Sequence, residues 1–364
     1  MRKRLMTMTA CLFASFAAFA QAYEAPVGWA TIGGTTTGSG NRNPVVVENV
    51  EQLKKVLKGE TPRTIYLKGE IRFEQMLSVG DFSNKTIYGL PGSALVNDVH
   101  YQQESKEDMV PKEKSGILTI KNCSNIIIRN VTFKGPGAYD VDGRDNLLIT
   151  NNSHHIWVDH CDFQDAIDGN LDINNGVDNV TVSWCRFRYK IAPWPGGSGG
   201  SPDHRFSNLL GSSDNKADTD EGKLRVTYAC CWWDEGCVRR MPRVRFGKVH
   251  IVNCYYCSSA AKDCIGAAYK SNIYVENSVF TKTKYPWKVY ATKTGFTDYN
   301  ITLKGNAGAP DEQKRSGDAD YFIPSEYYKI PTMPAMQVPM VVGNETTGAG
   351  ATLIIEYNGP QMGN

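Results

Sequence analysis

The chain has 364 residues, is 41% hydrophobic, and carries 40 basic and 38 acidic side chains for a net charge of +2. That composition supports a sizeable core, and the near-neutral balance excludes a protein that holds nucleic acid through a generally basic surface. No apolar run reaches the roughly 20 residues needed to span a bilayer, so no membrane-spanning helix is expected.

The first element is a leader. Arg2, Lys3 and Arg4 precede an apolar run from Leu5 to Ala20, and Ala20-Gln21-Ala22 or Ala18-Phe19-Ala20 has the small-residue pattern of a signal-peptidase site. Residues 1–22 are expected to be removed, leaving a secreted protein, extracellular or periplasmic, with residues 23–364 as one domain. The loss of three basic residues takes the formal charge from +2 to −1. An anchor through Cys11 is disfavoured, because the apolar stretch before it is too short.

From residue 125 onward six segments superimpose: NIIIRNVTF (125–133), HIWVDHCDF (155–163), NVTVSWCRF (179–187), RVTYACCWW (225–233), KVHIVNCYY (248–256) and NIYVENSVF (272–280). One apolar column reads Ile126, Ile156, Val180, Val226, Val249, Ile273, and the last column reads Phe133, Phe163, Phe187, Trp233, Tyr256, Phe280. Within each segment the apolar positions alternate, skip one residue, and alternate again. Period two is a strand with one buried face, and the skipped residue is a bend. The starts lie 30, 24, 46, 23 and 24 residues apart with no helical period between them. This predicts an all-β, right-handed, single-stranded parallel β-helix, a solenoid with long loops on one face, rather than a βαβ array. The interval of 46 places an inserted loop at about 190–222, where APWPGGSGGSPDH is rich in Gly, Pro and Ser.

Nine of the ten cysteines lie outside the leader. Cys161, Cys185, Cys231 and Cys254 form a column of small buried side chains rather than a metal site. Cys230 with Cys237, and Cys257 with Cys264, each bracket six residues and are candidates for loop disulfides, which would leave Cys123 unpaired.

The unusual polar residues fall just beyond the second strand of successive coils. Asp145 lies 12 positions after Phe133, Asp168 and Asp172 lie 5 and 9 after Phe163, and Arg240 and Arg245 lie 7 and 12 after Trp233. With coils stacked at about 4.8 Å, three aspartates occupy two adjacent coils and the arginines lie two coils further on, about 10 Å away. Converging carboxylates call for a hard cation such as Ca²⁺; the competing reading is solvated turn aspartates. The stretch VRRMPRVRFG (238–247) holds Arg239, Arg240, Arg243 and Arg245. Carboxylates such as Asp234 or Glu235 account for one or two of them, not for all four.

Several blocks in order resemble the pectate lyase family of parallel β-helix polysaccharide lyases: GWATIGGTTTGSG (28–40), NKTIYGLPGSAL (84–95), IWVDH (156–160), DGNLDI (168–173) with VTVSW (180–184), RMPRVRFGKVH (240–250) and TTGAGATL (346–353). The resemblance implies calcium-assisted β-elimination on polygalacturonate, that is pectate or low-ester pectin. In that reaction a base removes the C-5 proton and the C-4 oxygen leaves, giving a 4,5-unsaturated product. It implies Arg240 as the base, Arg245 as a substrate clamp, Arg243 as scaffold, and Asp145, Asp168 and Asp172 as calcium ligands. Guanidinium is normally protonated, so clustering with Arg243 and Arg245, and an alkaline medium, would have to supply the neutral form.

The chain departs from the family pattern in three places. Asp168 replaces the more usual Glu, and Gly143 or Arg144 falls where a further family aspartate stands. Phe206 replaces the substrate-contacting lysine, for which Arg205 or Lys190 is a candidate substitute. His204 is expected to be structural. The competing functions are a pectin lyase on methyl-esterified galacturonan and a pectin-binding β-helix that does not cleave; a hydrolase would need a carboxylic acid pair without the arginines. The expected partner is polygalacturonate or pectin, with no nucleic acid and no membrane, and the protein is expected to be a monomer.

Overall fold

The residue that the period-two pattern skips is left-handed in all six repeats: Asn130 (φ 61°), His160 (46°), Trp184 (49°), Cys230 (54°), Asn253 (53°) and Asn277 (48°). This conformation costs an ordinary side chain roughly 1–2 kcal/mol and asparagine least. One such residue turns the chain sharply between two strands while both keep their apolar side chains pointing inward. The computed structural model in which this is seen describes residues 23–99, 114–292, 295, 298–317, 321–357 and 359. The expected leader, residues 1–22, lies outside the described residues.

Each coil contributes strands to three walls. Ile126, Ile156, Val180, Val226, Val249 and Ile273 lie opposite one another on the first wall. Phe133, Phe163, Phe187, Trp233, Tyr256 and Phe280 do so on the second. Their rings stack with centroids 4.7, 5.2, 5.4, 4.6 and 4.4 Å apart, close to the spacing of hydrogen-bonded strands. The third wall comprises Leu147–Thr150, Leu171–Ile173, Leu209–Leu210, Arg243–Val244, Ile265–Ala267 and Trp287–Val289. The first and third walls merge through the long strands Leu77–Gly89 and Leu118–Arg129 into a 17-stranded sheet, and the second wall is an 8-stranded sheet. Among the described residues every strand pairing is parallel except Tyr299–Lys304 with Glu312–Ser316. With the right-handed sense that governs parallel crossovers, the fold is a right-handed parallel β-helix.

The amino-terminal end is closed by the helix Val50–Leu57, which starts where the Gln52 amide donates to the Asn49 side chain and buries Leu53 and Leu57. Beside it the buried Lys85 ammonium donates to the carbonyls of Gly59, Thr61 and Ser83 at 2.6, 2.9 and 2.6 Å. These three bonds satisfy a loop edge that would otherwise present bare acceptors.

Most of the long connections join the second wall to the third, among them 135–146, 189–208 and 234–242, so these loops gather along one edge; the connection 211–225 instead joins the third wall to the first. The expected insertion is more structured than a single loop. Leu209–Leu210 returns to the third wall inside it and pairs with Arg243–Val244, and Ala217–Asp220 forms a short helix.

The cysteine column stacks as expected. Cys161, Cys185, Cys231 and Cys254 are fully buried, and each thiol points to a carbonyl of the preceding coil, Ile128, Val158, Val182 and Tyr228, at 3.4–3.6 Å. The expected disulfides Cys230–Cys237 and Cys257–Cys264 are not formed: all nine cysteines from Cys123 to Cys264 are free. Cys237 and Cys264 lie in the core inside the coil, whereas Cys230 and Cys257 lie in a second core between the first wall and the carboxy-terminal segment. Within each pair one thiol is inside the coil and the other outside it. All nine are buried, and burial pushes the Cys123, Cys257 and Cys264 thiols up to about 12. A thiol reagent should therefore titrate all nine only after denaturation, and a reductant should leave the melting midpoint unchanged. A midpoint that falls on reduction would overturn the free-thiol assignment.

Candidate active site

The third wall sets its outward residues in one row. Asp172 pairs with Leu148 on one side; on the other, Leu209, Arg243, Gly266 and Lys288 continue the row coil by coil. A second line of register runs through the loop edge, where Gly169 pairs with Phe206 and Phe206 with Arg239. The arginine coil thus lies two coils from the aspartate coil, as the spacing predicts. Between Phe206 and Leu209 the arginine strand takes one residue more than its neighbour, and Arg240 sits in that bulge with φ 56°. A bulge re-aims side chains, and here it turns Arg240 out of the regular alternation.

Asp145 and Asp172 converge over Gly169. A Cβ added there would meet Asp172 Oδ1 at 2.5 Å and Asp145 Oδ1 at 2.7 Å, which only glycine avoids. The Gly169 amide donates to Asp145 Oδ1 and the Leu209 amide to Asp172 Oδ1, both at 2.9 Å. Burial, then Asp172 and Asp168, pushes Asp145 well above the usual carboxylate range. Burial and then Asp168 raise Asp172 to about 7, and Arg240 acts in the opposite direction on both. Asp168 is held apart: His204 Nε2 lies 2.8 Å from its Oδ1, and His204 Nδ1 lies 2.9 Å from Asp140 Oδ1. The histidine therefore bridges two carboxylates, consistent with the structural role expected for it. Among the described residues no group of three His, Cys, Asp or Glu side chains is arranged to hold a metal ion as it stands. The donor chemistry nevertheless fits a hard cation, since two buried carboxylates with only oxygen donors repel each other beside a third.

The arginines are divided differently from expectation. Arg245, expected as the clamp, is buried and donates to Asp214 Oδ1 at 2.6 Å and to the Gly211 carbonyl at 2.7 Å. Arg239, which the sequence left without a role, lies 3.2 Å from the buried Asp263, to which the Tyr290 hydroxyl also donates at 2.5 Å. Arg240 and Arg243 make no ion pair among the described residues. Arg240 lies over the Phe206 ring at 4.6 Å, and His204 packs against the same ring at 4.2 Å. Arg243 lies over Tyr290 at 4.7 Å. Burial and the neighbouring Arg245 and Arg240 lower its proton affinity to about 10. The two guanidinium groups left for a ligand are therefore Arg240 and Arg243.

The candidate replacements for the missing lysine do not reach this cluster as free charges. Arg205 donates twice to Asp203, at 2.7 and 2.8 Å. Lys190 donates to Gln164 at 3.1 Å and, with Lys134 and Asn130, lines a separate cavity beside the second wall. The IWVDH block is also structural: the buried Asp159 carboxylate accepts from the Ser183 hydroxyl at 2.5 Å and lies 2.7 Å from His160 and 2.8 Å from Arg129. Asp140 and Tyr290 escaped the sequence reading. Asp140 carried a usable signal, since it lies 7 positions after Phe133, as Arg240 lies 7 after Trp233.

The profile of the pectate lyase family matches residues 1–351. A pectate trisaccharide-lyase of Thermotoga maritima is 33% identical over 248 residues, covering 64% of this chain and 57% of the relative. The pectate lyase plyB of Emericella nidulans is 31% identical over 262 residues, covering 70% of this chain and 68% of the relative. The chain thus spans less than two thirds of the Thermotoga relative. Among solved structures, a pectate lyase from Bacillus sp. N165 in complex with trigalacturonate has 20% identity and a TM-score of 0.60 over 87% of this chain and 96% of that one. The major cedar pollen allergen has 18% identity and a TM-score of 0.62, over 86% and 90%. At these identities the structures bear out the fold.

Proposed function

The chain belongs to the pectate lyase family, and from that premise we propose that it is a secreted, monomeric pectate lyase that cleaves α-1,4-polygalacturonate by calcium-assisted β-elimination. The observation that carries the reading is the pair of arginines with no carboxylate partner among the described residues, Arg240 and Arg243, two coils from the buried Asp172 and three from the buried Asp145. Cations and carboxylates separated in this way suit a polyanion bound partly through a metal and partly through guanidinium. The described residues include no helix long and apolar enough to cross a membrane.

Asp145, Asp172 and Asp168 would hold the calcium ion, which when bound draws electron density from the uronate carboxylate and acidifies the proton on C-5. Arg240 takes that proton. The bulge aims its side chain, the Phe206 ring supports it, and no ion pair among the described residues fixes its charge. Arg243 binds a uronate carboxylate, a role for which its position in the Asp172 row and a charge with no ion pair among the described residues suit it. Electrons from the broken C-5–H bond form the C-4–C-5 double bond, and the C-4 oxygen departs with the leaving chain.

Incubation with polygalacturonate should give a rise in ultraviolet absorbance from the unsaturated product in calcium, and none in chelator. Turnover of high-ester pectin that survives the chelator would instead indicate a pectin lyase. Binding with no product from either polymer would indicate a non-catalytic pectin-binding protein.

A further inference from the structure

A second cavity, of about 400 Å³, lies around the corner from the arginine row, on the outward face of the first wall. Its size is that of a small-ligand site. Phe246, directly after Arg245, lines it at the corner, and Lys248 and Asn272 occupy consecutive rungs of its floor. Aromatic rings form one side. Trp29 is stacked on Phe322 at 5.7 Å and tilted against Tyr327 at 4.9 Å, and the cavity borders Trp29, Tyr327 and Tyr299.

The charge of the lining is unevenly matched. Arg225 is paired with Asp178, and Lys270 with Glu221 at 2.7 Å; Asp298 also acts on Lys270. Lys223 makes no ion pair among the described residues. Lys248 donates to the Tyr327 hydroxyl at 3.0 Å and makes no ion pair among the described residues. Two buried polar atoms in the lining, Trp29 Nε1 and Ser271 Oγ, have no hydrogen-bond partner among the described residues. Leaving such a group unpaired costs about 1–3 kcal/mol. The cavity therefore offers a ligand two ammonium groups and aromatic rings.

We propose that this cavity is an accessory site for an acidic sugar, a uronate residue of the polymer bound away from the reacting bond. The carboxylate pairs with Lys223 and Lys248, and the apolar ring face packs against the tyrosines. The choice of uronate rests on the proposed lyase function; the existence of an anionic-sugar site rests on the cavity alone. The site tethers the enzyme to long chains, so its loss raises KM for polymer and spares short substrates that fill only the catalytic row.

The test uses the full-length protein and the double variant Lys223→Glu/Lys248→Glu, with Lys248→Met as a milder control and thermal midpoints to verify folding. In native gels containing polygalacturonate and chelator, which separates binding from turnover, the wild type should migrate more slowly than in gels with neutral polymer. The double variant should lose at least half of that retardation. Its KM for polygalacturonate should rise about threefold or more, with kcat/KM on trigalacturonate unchanged within twofold. Unchanged retardation would overturn the site, and an equal loss on trigalacturonate would show that the charges act through the catalytic row instead. Equal retardation by dextran sulfate would overturn the assignment to uronate. Failure of the lyase reading shows elsewhere, as absence of unsaturated product from the wild type.

Discussion

Arg240→Ala is expected to lower kcat on polygalacturonate by about a thousandfold, the scale of losing a positioned proton acceptor, while leaving the melting midpoint within a degree or two. The small effect on stability follows from the structure: Arg240 makes no ion pair among the described residues, and its contact is with the Phe206 ring. Calcium affinity should not fall in this variant. Arg240 favours the ionised forms of Asp145 and Asp172, but as a nearby cation it also opposes a bound metal, so its removal tightens metal binding or leaves it unchanged. A fold-damaged variant would lose both activity and metal binding, which separates the two causes. Initial rates and a calcium titration by calorimetry provide the check; residual turnover above about a tenth of wild type would remove Arg240 from the role of base.

The second large effect is at Asp172. Asp172→Asn should abolish calcium-dependent turnover and, in chelator, make the protein more stable at pH 8. The sign follows from linkage. The folded-state value of Asp172 is raised from 3.8 to about 7, with burial the larger cause and Asp168 the next. Between those values the folded state holds a proton that the unfolded state has released, so stability falls as pH rises through the window and the full penalty is present above pH 7. A shift of that size corresponds to roughly 4 kcal/mol at most. The amide keeps an oxygen to accept from the Leu209 amide at no charge cost. Thermal melts of both proteins from pH 4 to 8, with and without calcium, should show the metal-free variant gaining most at the alkaline end. The same melts should show it losing the stabilisation that calcium gives the wild type. If the metal-free variant melts lower than wild type at pH 8, the buried charge is not the liability assigned to it.

The columns of the solenoid were readable because one coil repeats the same alternation, and a six-fold repetition averages out local exceptions such as Trp184 or Cys230 at the bend. The same register carried Asp168, Asp172 and Arg240 to their correct coils. What the sequence did not disclose was how each charge is neutralised. Arg245 is claimed by Asp214 and Arg239 by Asp263, partners supplied by loops whose paths have no period. Asp168 is drawn toward His204 from within the insertion for the same reason. The cysteine pairs failed on a related point, since a gap of six residues says nothing about which side of a wall each thiol occupies.

The Phe206 position shows how a departure in sequence is absorbed. A lysine there would add a third free cation between the aspartate and arginine coils. The phenyl ring instead gives Arg240 and His204 a common surface, and Arg243 keeps a charge without an ion-pair partner among the described residues.

The nine unpaired thiols have a practical corollary. A scaffold held by coil stacking alone needs neither an oxidant nor an isomerase to mature, so its assembly is independent of redox potential. The protein should be obtainable in active form from the reducing interior of a host cell. Storage in air should spare its thiols as long as it stays folded, because the nine cysteines from Cys123 to Cys264 are all buried.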